Sequence, residues 1–112
     1  MASRKSEQTA RIFDGVAEHY HRYRLRTPPV VTRIVGSLID RNPDVVVDLG
    51  CGTGLSTLVW MDVAAYVVGI EPNREMRDLA EDLARDAGNV EIRDGDSSRT
   101  GLNSDFADVV TC

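Results

Sequence analysis

The stretch that most constrains this chain runs from Val45 to Gly54. Here a β-branched run, Val45-Val46-Val47-Asp48-Leu49, passes without a break into Gly50-Cys51-Gly52-Thr53-Gly54. A continuous apolar run, with no polar alternation, suits a strand covered on both faces, as in a parallel sheet. Glycine at alternate positions of the following turn removes each Cβ that would hold a ligand off the backbone. The same glycines also suit a plain tight strand-to-helix turn that needs positive φ, so taken alone the turn is a weak signal.

The rest of the chain repeats the strand-helix texture. Leu55 to about Met61 lacks breakers and reads as a helix, and Tyr66 to Glu71 is a second strand of the same kind. Asn73 can cap a helix whose Met76, Leu79, Ala80, Leu83, Ala84 and Ala87 recur at helical spacing, with Gly88 as its stop. Val90 to Arg93 makes a third strand, Gly95 to Asp105 a loop, and Ala107 to Cys112 a fourth strand. Upstream, Ile12, Phe13, Val16, Ala17 and Tyr20 form one stripe of a helix over Glu7 to about Tyr20. Thr27 caps a second helix with Pro28 at its first position, and Val30, Val31, Ile34, Val35, Leu38 and Ile39 are its expected buried stripe. The order predicts an α/β doubly wound parallel sheet of about four strands within one domain, with two helices in 1–44 and the β/α units in 45–112.

Composition excludes more than it selects. A hydrophobic share of 42% and a charged share of 28% are those of a folded globular chain. A net charge of -5 argues against a non-specific grip on nucleic acid, which needs clustered cations. Neither a signal peptide nor a membrane span is readable, and a cytoplasmic location is expected. Cys51 and Cys112 form no CxxC pair, so free thiols and no metal site are expected. His19 and His21, two apart, would point to different sides of a helix.

Spacing separates the ligands a glycine turn can take. The dinucleotide fingerprint G-x-G-x-x-G would require glycine where Leu55 stands, so this turn is G-x-G-x-G. No Gly-Lys-Ser or Gly-Lys-Thr follows, which excludes a phosphate-binding loop. Glu71 closes the second strand about twenty residues past the turn, where a carboxylate can accept from both hydroxyls of a ribose and would repel a 2′-phosphate. An adenosine-like ligand satisfies both conditions.

Val46-Val47-Asp48-Leu49-Gly50-Cys51-Gly52-Thr53-Gly54 followed by Val68-Gly69-Ile70-Glu71-Pro72 resembles the class I S-adenosylmethionine-dependent methyltransferases, nearest to their small-molecule, type 11-like subgroup. Gly95-Asp96-Ser97 and Asp105 to Cys112 resemble the family's third and fourth motifs, and the likeness covers roughly residues 10 to 112. It implies a Rossmann-like fold, S-adenosylmethionine as cofactor with S-adenosylhomocysteine as product, and a small-molecule methyl acceptor, while the net charge and the lack of an apolar span make a nucleic-acid or membrane partner unexpected. The turn residues Gly50, Cys51, Gly52 and Gly54 would lie under the cofactor's methionine part, with Asp48 near its ammonium group. Glu71, followed by Pro72, would hold the ribose. Asp96 would accept from the adenine amino group with the Ser97 backbone alongside, and Met76 would lie against the ring. Met76 equally suits the core of its helix, and Asp96 suits a loop turn.

Phe13-Asp14 and Tyr20-His21-Arg22-Tyr23-Arg24 resemble the segment that folds over the cofactor in this subgroup. Tyr20 and Arg24 would reach the methionine carboxylate, or else face water on an amphipathic helix. No candidate base stands in the chain. The alternatives are a non-catalytic cofactor- or partner-binding fragment and, more remotely, a nicotinamide-dependent oxidoreductase. The family pattern continues past a fourth strand, so the 112 residues are expected to be a truncated piece, inactive alone and prone to self-association through the bare edge of that strand.

Overall fold

Strand β1, Val45–Leu49, sits inside the sheet, and its continuous apolar run follows from cover on both sides. The computed structural model describes residues 30–112. The helix expected over Glu7 to Tyr20, the Thr27-Pro28 cap, and Tyr20 and Arg24 lie outside the described residues. In chain order the elements are α1 (Val30–Ile39), β1, α2 (Leu55–Leu58), β2 (Tyr66–Ile70), α3 (Arg74–Ala84), β3 (Val90–Arg93) and β4 (Val109–Thr111). The strands form one parallel sheet in the order β3-β2-β1-β4. Register pairs Val46 with Val67 on one side and with Val109 on the other.

Side chains alternate along the strands and feed two cores. One is built from Val46, Trp60, Ala64 and Val67, with Val35, Val59, Val63, Val90 and Val109 against it. The other holds Val47, Val68 and Ile70, packed by Leu49, Tyr66, Leu102, Phe106 and Ala107. On that second face the cover comes from the β3-β4 connection. The Phe106 ring meets Tyr66 edge-on at 6.5 Å, a favoured aromatic geometry.

Three helical expectations are corrected. The stripe expected along α1 is only partly covered: Val31, Val35 and Ile39 are half-buried, while Val30, Ile34 and Leu38 are 46%, 55% and 80% exposed. These residues form two adjacent ridges, and the sheet offers surface to one of them. The helix after the glycine turn ends at Leu58 instead of near Met61. Its hydrogen bonds tighten to Trp60 N→Thr57 O, Met61 N→Leu58 O and Val63 N→Trp60 O, in a turn that leaves Trp60 only 1% exposed in the core. In α3, Asn73 caps as expected, its Oδ1 accepting from Met76 N at 2.9 Å. The helix stops at Ala84, before Ala87, and buries the narrow ridge Met76, Ala80 and Ala84, while Leu83 stands 41% exposed.

The edge strand β4 is shorter than expected and is fastened at its start by Asp108. Its Oδ2 accepts from Asp44 N at 2.8 Å and Val45 N at 3.0 Å, and its Oδ1 accepts from Arg41 at 2.8 Å. This staple joins the amino ends of β1 and β4, the pair of strands between which the strand order reverses, at the end of the sheet opposite the glycine turn. In open α/β sheets ligands bind where the order reverses, beyond the carboxyl ends of the strands.

Candidate ligand-binding site

The glycine turn leaves β1 at that place. Gly50, Gly52 and Gly54 adopt φ of 65°, 58° and 92°, left-handed values that are costly for residues with a Cβ. The glycines serve different ends. A Cβ on Gly50 would meet no described residue within 4 Å, so on that side the turn leaves room for a ligand. A Cβ on Gly54 would come 3.3 Å from the Ala80 Cβ, so this glycine lets the turn approach α3. At Gly69 on β2 a Cβ would lie 2.9 Å from Cys51 Sγ, which shows that the thiol is directed onto the sheet. Cys51 is fully buried, and burial, helped by Asp48 and Glu71, pushes its thiol up to about 12. Any contact it offers a ligand comes from its backbone.

Three carboxylates close the ends of the first three strands, and all are buried: Asp48 at 3%, Glu71 at 7% and Asp96 at 7% exposure. Glu71 clamps the turn. Its Oε1 accepts from Gly52 N at 2.9 Å and its Oε2 from Asn73 N at 2.8 Å. An ionised carboxylate has about four acceptor positions, so the described residues leave two, enough for a pair of hydroxyls. Asp48 accepts from Ser56 Oγ at 2.9 Å, Thr57 Oγ1 at 2.8 Å and Thr111 Oγ1 at 2.9 Å. Asp96 Oδ1 accepts from Ser98 N, Ser98 Oγ and Arg99 N, a turn-forming pattern, and Ser97 beside it is exposed. Among the described residues no ion pair reaches the carboxylate of Asp48 or Glu71. Within the described residues the cradle thus meets its carboxylates with hydroxyls and backbone amides and not with cations, an arrangement that suits a cationic ligand with hydroxyl groups.

The structure brings Asp48, the glycine turn, Glu71, Pro72 and Met76 into one neighbourhood around the ends of β1 and β2. Met76 is 3% exposed in the first turn of α3, where its side chain belongs to the buried ridge. Sequence reading missed the hydroxyls of Ser56, Thr57 and Thr111, and Thr53, whose Oγ1 is buried without a hydrogen-bond partner among the described residues. Ser56 and Thr57, one turn beyond the glycines, carried a readable signal. Thr111 carried none, because only the β1-β4 register brings it to Asp48 from 63 residues away. Among the described residues no group of three or more His, Cys, Asp or Glu could hold a metal ion, and no helix is long and apolar enough to cross a membrane.

Fold and site together define a Rossmann-like α/β domain with an acidic cradle at the strand ends. Residues 47–112 match the family described as methyltransferase domain, and the chain belongs to that family. It is 32% identical over 77 residues to an uncharacterized methyltransferase of Anoxybacillus flavithermus, covering 69% of this chain and 35% of that protein. It is 39% identical over 66 residues to the cypemycin N-terminal methyltransferase of a Streptomyces species, covering 59% of this chain and 26% of that protein. The chain thus spans about a third or less of the length of these relatives. The crystal structure of Haemonchus contortus phosphoethanolamine N-methyltransferase 1, in complex with phosphoethanolamine and S-adenosylhomocysteine, shares the fold. Its TM-score is 0.64 at 19% identity, over 94% of this chain and 25% of that one.

Proposed function

We propose that this chain is the cofactor-binding part of an S-adenosylmethionine-dependent methyltransferase that acts on a small-molecule acceptor. The observation that carries the reading is the glycine turn, open above Gly50 and flanked by the buried carboxylates Asp48 and Glu71, which no cationic side chain of the described residues engages. The residues suit that cofactor. Two acceptor positions on Glu71 match the two ribose hydroxyls, and the charge of Asp48 matches an ammonium group. Thr53 Oγ1 is one more polar atom that the turn leaves unused. Asp96 with Ser97 is assigned to the adenine amino edge and Met76 to the ring, by their positions after β3 and at the start of α3. When bound, the cofactor supplies a methyl group activated on a sulfonium.

The residues of this chain contribute binding and orientation. Glu71 fixes the sugar and the turn at once, so the ligand and the backbone that holds it share one anchor. In-line methyl transfer draws mainly on such alignment, and the acceptor side of the reaction is assigned to other parts of the protein. Support for the cofactor comes from the family match over residues 47–112 and from the S-adenosylhomocysteine named with the Haemonchus contortus structure that shares the fold. β4, an edge strand with Val110 59% exposed, is the segment through which self-association is proposed. A thermal-shift series with S-adenosylhomocysteine, NAD and NADP tests the cofactor assignment. A raised melting temperature with S-adenosylhomocysteine alone is expected, and a rise with either dinucleotide instead would overturn it.

A further inference from the structure

Asp48 is 3% exposed at the end of β1, and every hydrogen bond its side chain receives within the described residues comes from a hydroxyl. Ser56 and Thr57, in α2, both donate to Oδ2, whereas Thr111, on the neighbouring strand β4, donates to Oδ1. Hydroxyl donors solvate a buried carboxylate without cancelling its charge, unlike a lysine or arginine. An ionised carboxylate offers about four acceptor positions, so the three donors among the described residues leave one, and it lies on Oδ1. The orientation of that oxygen is set by Thr111.

We infer that Thr111 is a positioning residue for ligand charge: its hydroxyl aims the one open acceptor position of Asp48 at an N–H of a cationic ligand group. The inference rests on the cofactor reading above and adds a specificity element from outside the glycine turn. It makes β4 part of the binding site, and it confines the effect of Thr111 to ligands that carry an ammonium group. Ser56 and Thr57 hold the other oxygen and keep the carboxylate from turning.

The test titrates the 112-residue chain with two probes by calorimetry. S-Adenosylhomocysteine carries the amino-acid ammonium, whereas 5′-methylthioadenosine keeps the adenosine and the thioether but lacks it. Thr111→Val, which preserves shape and removes the donor, is expected to weaken S-adenosylhomocysteine about tenfold and to leave 5′-methylthioadenosine within about twofold. Thr111→Ser, which restores a hydroxyl, is expected to return most of the loss. Ser56→Ala gives a second, independent variant with the same ligand-selective loss. Equal weakening of both probes, or no change for either, would overturn the inference while leaving the cofactor reading in place. Absence of binding of both probes to the unsubstituted chain would overturn both.

Discussion

Glu71 carries two tasks that pull on the same atoms. Its carboxylate takes the amides of Gly52 and Asn73, so the side chain proposed to hold a ribose also ties the glycine turn to the start of α3. Glu71→Ala therefore reaches beyond the ligand, because the substitution strands two buried amides. It is expected to lower stability by about 1–3 kcal/mol in urea unfolding and to weaken S-adenosylhomocysteine by about 2–3 kcal/mol. Glu71→Gln, which keeps one acceptor, should lose less of both. Gly52 sits at φ 58° with its amide on Glu71, so Gly52→Val is expected to cost about 1–3 kcal/mol of stability and to abolish ligand binding in the protein that remains folded. Titration calorimetry on the folded fraction checks it; unchanged affinity would make the turn merely structural. Cys51 gives a pH dependence. Its folded value of about 12 lies above the ordinary 9.0, so the stability linked to the buried thiol is fully present below pH 9 and is lost as pH rises toward 12. Melting scans across that window should fall more steeply for the native chain than for Cys51→Ala.

Among the elements, α3 was the most legible, and the reason is local. Asn73, the apolar spacing and the first-turn Glu75 act within a few residues, and the cap formed as expected, with Met76 N on Asn73 Oδ1. Asn73→Ala should cost about 1 kcal/mol, seen as a melting temperature lower by about 4–8 °C. The four strands were legible for the same reason: β-branched runs between turn residues need no partner to be recognised. The ends of the helices were not. Whether α2 runs on past Leu58 depends on where Trp60 finds its pocket between Val46 and Val67, and the two ridges of α1 could be told apart only by the surface that the sheet offers. The site divides the same way. The glycines and Glu71 could be placed by spacing along the chain and Asp48 by the family resemblance, whereas the contribution of Thr111 is a product of the register between β1 and β4.

At the scale of the whole molecule, the four parallel strands bring the residues proposed to hold the cofactor to one end of the sheet. Among the described residues the second face is covered by the β3-β4 connection, and a groove of roughly 220 Å³ runs there beside Val47, Leu49, Phe106 and Val110. That groove and the strand-end cradle are separate places, so a ligand titration can tell them apart. The most direct test of the central claim is an amide NMR titration of the 112-residue chain with S-adenosylhomocysteine, in which the glycine resonances report on the turn itself. The account predicts saturable shifts centred on Gly50, Gly52 and Gly54, extending to Glu71 and Asp96 and absent from Leu102 to Ala107. Shifts concentrated along the Leu102 to Ala107 segment, or none at millimolar ligand, would contradict it.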